Sequence, residues 1–268
     1  PGSGNMDNWI EVVESLKNPK NEVEIAVVGK YIELTDSYKS IYEALTHGGI
    51  ANNSRVRFRR IQAEDLANGD PAAVLGGIDG ILVPGGFGER GLEGKVNTIR
   101  YARENNIPFL GICYGMHAAV IEYCRNVLGI QEASSTEIHK DTPHPVITLL
   151  QDQQDVSEKG GTMRLGGWPC RFQESSTCHK EYGTMDVSER HRHRYEFNND
   201  YRERLQEAGL RISGTSPDGE LVEVVEVENH PWFVACQYHP EFQSKPFDAH
   251  PLFKGFVTAA LEGRSKGV

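Results

Sequence analysis

The segment PFLGICYGMHAAV, residues 108–120, passes from a short apolar run to a helical pattern across a single cysteine, Cys113. The apolar run Pro108–Cys113 is typical of a buried strand, and a helix is expected from about Gly115 to Leu128. The spacing G-x-C-x-G is typical of a sharp strand-to-helix turn that carries a nucleophile. Because the N-terminal end of a helix favours a thiolate, Cys113 is the candidate nucleophile. The alternative is a buried cysteine that lies between two loop glycines.

The same order of strand and helix recurs along the chain. In the first half, strands are expected at Val23–Gly29, Arg55–Ile61 and Ile78–Val83, and helices at Asp7–Lys17, Ser37–His47 and Gly91–Glu104. In the second half, strands are expected at Val146–Leu150, Gly161–Phe172, His191–Phe197, Leu221–Val227 and Trp232–Tyr238, with a last helix at Pro251–Glu262. This alternation predicts an α/β fold with a doubly wound, mostly parallel sheet and a strand-rich second half.

Composition excludes several classes of protein. The 268 residues include 28 Lys and Arg against 38 Asp and Glu, a formal charge of −10. An acidic chain is poorly suited to bind nucleic acid, and no apolar run reaches the roughly 18–20 residues needed to cross a membrane. The five cysteines are an odd number without zinc-ligand spacing, so we expect no disulfide framework and no metal site. A cytoplasmic, reducing location is expected.

A glycine-rich loop, PGGFGERG at residues 84–91, follows the third expected strand. It matches G-x-G-x-x-G, but the strand after it ends in Cys113 rather than in the acidic residue of a dinucleotide site. Gly94-Lys95 resembles the end of a phosphate-binding loop, but the other residues of that motif do not match. We therefore interpret the loop as a source of backbone N–H groups that, with that of Tyr114, would form an oxyanion hole.

A second candidate group lies in QYHPEF, residues 237–242. Pro240 favours extended backbone at His239, so His239 and Glu241 are expected on one side of the chain. A carboxylate that binds one imidazole nitrogen leaves the other to exchange protons with a nucleophile. The alternative is a loop histidine with a chance acidic neighbour, and the presence of Cys113 favours the first interpretation.

The run RHRHR at residues 190–194 would place three arginines on one face of a strand. A single basic patch on an acidic chain favours a carboxylate or phosphate clamp over nucleic acid, because arginine binds such groups through two parallel hydrogen bonds. His191 and His193 have no acidic or cysteine partner nearby in sequence, which argues against a metal. Spacing alone suggests that Glu137 is a surface acid.

Taken together, PGGFG, GICYGM and YHPEF resemble the signature segments of class I glutamine amidotransferases. More narrowly, the chain resembles the C-terminal domain of the CTP synthase family at GKYIELTDSYKS (29–40), GTMRLG (161–166), ERHRHRYE (189–196) and NHPWFVACQYHPEF (229–242). The resemblance implies a flavodoxin-like domain with Cys113 as nucleophile, His239 as general acid and base, and Glu241 as its orienting partner. It also implies oxyanion-hole N–H groups at Gly86 and Tyr114, and substrate contacts at Gly86, Tyr114, His117, Glu137 and Arg194.

The resemblance implies that L-glutamine is hydrolysed to glutamate and ammonia through a cysteine thioester, with no cofactor in this domain. In the family, a synthetase domain uses ATP and Mg²⁺ to aminate UTP with this ammonia, GTP is an allosteric activator, and the full-length ligase is expected to be a homotetramer. The implied boundaries are a vector-derived remnant at residues 1–6, a linker helix at 7–20 and an amidotransferase domain at 21–268, without the synthetase domain.

One residue departs from the family pattern, because His117 stands where glutamine is usual.

Two alternatives remain open for the function. One is a stand-alone γ-glutamyl hydrolase or related cysteine hydrolase, against which Glu137, Arg194 and the segment TMRLG argue. The other is a regulatory module without activity.

Overall fold

A nine-stranded sheet forms the centre of the computed structural model, which describes residues 6–149 and 163–266. Within these residues the strands are β1 (Asn21–Gly29), β2 (Ser54–Gln62), β3 (Gly80–Val83), β4 (Phe109–Ile112), β5 (Ala133–Ser135), β6 (His144–Thr148), β7 (Arg164–Phe172), β8 (Asp186–His193), β9 (Glu196–Phe197), β10 (Leu210–Thr215), β11 (Val222–Val227) and β12 (Phe233–Cys236). Three of them, β5, β6 and β9, form a separate small sheet.

The large sheet combines a parallel part and an antiparallel part. Its strand order is β2-β1-β3-β4-β12-β11-β10-β7-β8. The first five strands run parallel to one another, and the strands from β11 onward pair antiparallel. The parallel part has the 2-1-3-4-5 order of flavodoxin-like folds, with β12 as the fifth strand. The predicted doubly wound sheet and strand-rich second half are therefore confirmed.

Helices cover both faces of the parallel part. The helices of the described residues are α1 (Asp7–Lys17), α2 (Lys39–Ala51), α3 (Pro71–Leu75), α4 (Leu92–Glu104), α5 (Tyr114–Asn126), α6 (Thr177–Tyr182), α7 (Arg202–Glu207) and α8 (Pro251–Lys266). Two of them, α6 and α7, pack against β10 in the antiparallel part. Alternate side chains of β1 enter two cores, because successive residues of a strand point to opposite faces. Val23, Ile25 and Val27 pack with α2 and α8, whereas Ala26 and Val28 pack with α3, α4 and α5.

One predicted strand is wrong in its extent. The segment His191–Phe197 does not form a single strand: β8 starts earlier, at Asp186, and ends at His193, where it pairs with Arg164. The chain then leaves the large sheet, and Glu196 and Phe197 pair with β6 in the small sheet. The two residues between the sheets, Arg194 and Tyr195, line a cavity instead.

Other differences concern element bounds and short elements. The strand expected at Val146–Leu150 is β6, shifted towards its N-terminus, and the strand expected from Gly161 is described from Arg164. Leu150, Gly161 and Thr162 lie outside the described residues. No prediction covers the strands β5 and β10 or the short helices α3, α6 and α7. The pairing of β10 with β11 shifts register around Gly214. No helix in the described part of the chain is long and apolar enough to cross a membrane.

The packing of α4 gives a test of the fold. A Cβ atom at Gly94, in the first turn of α4, would overlap the carbonyl oxygen of Ala63, whereas one at Gly263 in α8 would have no atom within 4 Å. We expect Gly94→Ala to lower the free energy of unfolding by about 2 kcal/mol or more, because the backbone must move. The matched variant Gly263→Ala should raise it by about 0.5–1 kcal/mol. Urea unfolding of both variants measures this, and equal stabilities would contradict the close approach.

Candidate active site

Three neighbouring parallel strands bring the sequence motifs to one edge of the sheet. The glycine-rich loop follows β3, Cys113 follows β4, and His239 follows β12 after a short connection. The register pairs Val83 with Gly111 and Ile112 with Cys236, so the three strands end side by side. Ligands of open α/β sheets bind at this carboxyl-terminal edge.

Cys113 occupies the predicted turn between β4 and α5. Its φ of 52° and ψ of −103° are values that non-glycine residues rarely adopt. A Cβ atom at Gly115 would overlap the carbonyl oxygen of Val83, which explains the glycine two residues after Cys113. The N–H of Cys113 donates to the carbonyl oxygen of Cys236 at 2.7 Å, so the turn is anchored to β12.

The other four cysteines have a different environment. All five are free and buried, but burial raises the pKa of Cys124 to about 12, and burial also raises the pKa values of Cys170, Cys178 and Cys236. These four thiols therefore stay protonated near neutral pH. Of the five, Cys113 lines the cavity described below.

His239 and Glu241 form a hydrogen-bonded pair. The Nδ1 atom of His239 lies 2.8 Å from Oε1 of Glu241, and Phe242 stacks on the imidazole with ring centroids 5.2 Å apart. The predicted pairing is present, but its expected geometry is wrong: Pro240–Phe242 form a 3₁₀ turn, so Glu241 reaches the imidazole by a turn rather than by extended chain.

The imidazole of His239 lies against the cysteine turn. A Cβ atom at Gly85 would lie 2.9 Å from Cε1 of His239 and 3.6 Å from Cβ of Cys113, so the three residues meet. Burial alone would lower the pKa of His239, but the charge and hydrogen bond of Cys113, followed by those of Glu241, raise it to about 10. His239 is therefore an imidazolium at neutral pH when Cys113 is a thiolate.

The glycine-rich loop is held by hydrogen bonds from side chains to the backbone of Phe87 and Gly88. The hydroxyl of Tyr114 donates to the carbonyl oxygen of Gly88 at 2.6 Å, and the N–H of Gly88 donates to Glu137 at 3.0 Å. The ammonium of Lys30 donates to the carbonyl oxygen of Phe87 at 3.1 Å. These contacts fix the backbone next to Gly86.

His117 contacts another buried side chain, Gln237. Its Nε2 atom lies 2.9 Å from Oε1 of Gln237, and Nε2 of Gln237 donates to the sulfur of Cys113 at 3.9 Å. Burial lowers the pKa of His117 to about 4, so its ring is neutral at pH 7 and its Nε2–H donates to the amide oxygen. Gln237 was not singled out from the sequence, although it directly precedes the segment YHPEF.

Glu137 and Arg194 bring opposite charges to the same space. Burial raises the pKa of Glu137, while Gly88, Lys30, Lys95 and Arg194 act in the opposite direction. Glu137 is half-buried and lines the cavity, so the interpretation from spacing as a surface acid is wrong. The buried Nε of Arg194 has no hydrogen-bond partner among the described residues.

One cavity of about 670 Å³ contains every predicted site residue. Its walls include Gly86, Cys113, Tyr114, His117, Glu137, Arg194, His239 and Glu241. The same cavity is therefore lined by a cysteine, an imidazole, a carboxylate and a guanidinium. This arrangement suits nucleophilic attack on a carbonyl group of a small zwitterionic molecule.

The histidines of the arginine-histidine run point into the protein. His193 lies 2.8 Å from Oε1 of Glu196, so the statement that no acidic partner is near in sequence is wrong. Glu196 and Glu223 both bind Arg164, and burial followed by Arg164 lowers the pKa values of His191 and His193. Residues 6–149 and 163–266 contain no group of three or more side chains able to bind a metal.

Comparisons with known proteins agree with this geometry. The family model Glutamine amidotransferase class-I matches residues 33–259. A CTP synthase of Desulfotalea psychrophila is 56% identical over 271 residues, which cover 97% of this chain and 49% of that protein. A CTP synthase of Geobacter metallireducens is 57% identical over 259 residues, with 96% and 48% covered. The chain therefore spans about half the length of the curated relatives it matches.

Two solved structures, a glutaminase domain and a glutamine amidotransferase, are similar to this chain. The Trypanosoma brucei CTPS glutaminase domain with bound acivicin superposes with a TM-score of 0.84 at 40% identity, covering 90% of this chain and 94% of that one. A glutamine amidotransferase of Thermotoga maritima has a TM-score of 0.51 at 12% identity, which shows likeness of fold alone. The extent of the family match and the likeness to the glutaminase domain show that this chain belongs to the class I glutamine amidotransferases, on the branch of the CTP synthases.

Proposed function

We propose that this chain hydrolyses L-glutamine to glutamate and ammonia, with Cys113, His239 and Glu241 as a catalytic triad. The observation that carries the proposal is the close approach of Cys113, His239 and Gly85 in the wall of one cavity. The relatives' names and the acivicin-bound glutaminase domain support the choice of glutamine over other small amides.

The charges in the cavity match the α-amino acid end of glutamine. The carboxylate of Glu137 would bind the ammonium of the substrate, and the guanidinium of Arg194, whose Nε is unpartnered, would bind its carboxylate. The carboxamide would then extend toward Cys113. Because Glu137 also accepts from the N–H of Gly88, substrate binding and the position of the loop are coupled.

The first half of the reaction forms a thioester and releases ammonia. The thiolate of Cys113 attacks the carboxamide carbon, and the charge that develops on oxygen is stabilised by the N–H groups of Gly86 and Tyr114. His239 as imidazolium donates its proton to the nitrogen of the leaving group, the C–N bond breaks, and a γ-glutamyl thioester remains.

The second half consumes water. Neutral His239 takes a proton from water, whose oxygen attacks the thioester carbon. The C–S bond then breaks, which regenerates the thiolate beside an imidazolium and leaves glutamic acid, whose γ-carboxyl proton passes to solvent to give glutamate. Glu241 holds Nδ1 of His239 throughout and stabilises its charged form. Every step uses side chains of this chain, backbone N–H groups and water, without a cofactor.

We further propose that the ammonia serves the amination of UTP to CTP, as the relatives' name implies. In this proposal a synthetase unit supplies the ATP and Mg²⁺ chemistry, GTP activates the glutaminase step, and the whole enzyme is a cytoplasmic ligase and a homotetramer. Residues 7–20 would form the linker helix and 21–268 the amidotransferase domain.

The nucleophile is tested by replacing Cys113. We expect Cys113→Ala and Cys113→Ser to lower kcat for ammonia release by about 10⁴-fold or more, because no thioester can form. The free energy of unfolding should change by about 1 kcal/mol at most. Cys124→Ala, in helix α5 and outside the cavity, is the matched control and should stay active. Ammonia release by the Cys113→Ala variant at the unmodified rate would contradict the assignment.

The roles of the other two residues differ. His239→Ala should lower kcat by about 10²–10⁴-fold, because it removes the group that transfers protons. Glu241→Gln should lower kcat less, because it removes only the carboxylate that orients His239 and stabilises its charged form. Glu241→Gln should also lower the pKa of His239, which Glu241 helps to raise to about 10. Kinetics and an NMR titration of the imidazole measure both effects. Equal losses of kcat, or an unchanged His239 pKa, would rule out separate roles.

His117 is tested by restoring the residue usual in the family. We expect His117→Gln to change kcat by no more than about threefold, because a glutamine amide can also donate to Gln237. His117→Leu leaves the buried oxygen of Gln237 without a donor, and should cost about 1–3 kcal/mol in the free energy of unfolding. Ammonia-release kinetics and urea unfolding compare the two variants. A large loss of kcat in His117→Gln would mean that the imidazole itself has a role in this chain.

A further inference from the structure

Lys95 is a charged residue in the protein interior next to the proposed oxyanion hole. It lies in the first turn of α4, and only 1% of its surface is exposed. The sequence offers it as part of a phosphate-binding motif whose other residues do not match, so that role does not explain it. A buried ammonium is unfavourable unless its surroundings compensate the loss of water.

The ammonium of Lys95 lies next to the backbone of Gly86 and the ring of Tyr114. A Cβ atom at Gly86 would lie 3.4 Å from Nζ of Lys95. The same Nζ lies 4.3 Å from the ring centroid of Tyr114, within the range of a cation–π interaction. Lys95 therefore packs behind both residues whose N–H groups are proposed to bind the oxyanion.

Its charged neighbours place Lys95 in the field of the nucleophile. Burial, followed by the charge of Lys30, lowers the pKa of Lys95 to about 8, and Glu64, Cys113 and Glu137 act in the opposite direction. The interaction with Cys113 is reciprocal: a positive charge that is stabilised by the thiolate also stabilises the thiolate. The unfolded chain binds the lysine proton up to higher pH than the folded chain, so at neutral pH this charge costs stability.

We propose that Lys95 is a positioning residue for the reaction at Cys113, holding Gly86 and Tyr114 in place and favouring negative charge on the sulfur. The proposal rests on the proposed glutaminase function for its kinetic consequence, but its electrostatic part concerns Cys113 alone. An uncharged side chain of similar size would fill the same space without that effect.

The test compares Lys95→Met with the unmodified chain in two assays. The first is the rate at which iodoacetamide alkylates Cys113, followed by peptide mass spectrometry. At pH 7 we expect a fall of about threefold or more in Lys95→Met, because the stabilising charge is lost. As pH rises above about 8 the lysine itself becomes neutral, so the two rates should converge. The second assay is ammonia release from glutamine, where kcat should fall about tenfold with KM within about twofold.

Stability separates this role from a structural one. Thermal unfolding of Lys95→Met should occur at the same or a higher temperature, since replacing a buried charge by an apolar side chain removes its desolvation cost. Lys254→Met, on the exposed side of α8, is the matched control and should leave both rates unchanged. Lys95→Gln provides a second uncharged variant if the methionine variant does not fold.

Two results would overturn the proposal. One is an alkylation rate and a kcat that are unchanged in a folded uncharged variant. The other is a loss that follows the fraction of unfolded protein and does not depend on pH. If the unmodified chain does not hydrolyse glutamine but the pH-dependent difference in alkylation is present, the function proposed above fails and the role of Lys95 at Cys113 stands.

Discussion

The parallel pairing of β3, β4 and β12 is the constraint on which the site depends. Because these strands are neighbours in register, the segments that follow them emerge at the same edge of the sheet. The hydrogen bond from the N–H of Cys113 to Cys236 continues the pairing one residue beyond β4. It holds the cysteine at a positive φ that costs about 1–3 kcal/mol. The two cores on either side of the sheet supply the packing that offsets this cost.

Polar contacts around that turn fix the remaining groups. Glu241 binds the imidazole of His239. Tyr114 and Glu137 bind the backbone of Gly88 in the glycine-rich loop. Tyr114 thus contributes its N–H to the proposed oxyanion hole and its hydroxyl to the loop that carries the second N–H. The position of the loop in this chain therefore follows from contacts within the domain, and the proposed substrate-binding carboxylate of Glu137 is one of them.

The parts of the site that the sequence predicts are local. The turn at Cys113 and the pairing of His239 with Glu241 involve neighbouring residues, and the strands and helices around them have clear periodicity. The contacts of Gln237, Lys95 and Glu137 join residues distant in sequence, and no spacing rule indicates them. Periodicity places Arg194 within a strand, whereas its position in the cavity depends on β8 ending at His193, where the chain passes from one sheet to the other.

The most direct test of the account is covalent labelling with a chloroketone analogue of L-glutamine, followed by mass spectrometry of the intact chain and its peptides. We expect a single adduct on Cys113, suppressed by an excess of L-glutamine. The D-isomer of the label should react much more slowly, because Glu137 and Arg194 are proposed to fix the α-carbon substituents. No adduct, an adduct on another cysteine, or equal labelling by both isomers would contradict the proposed glutamine site.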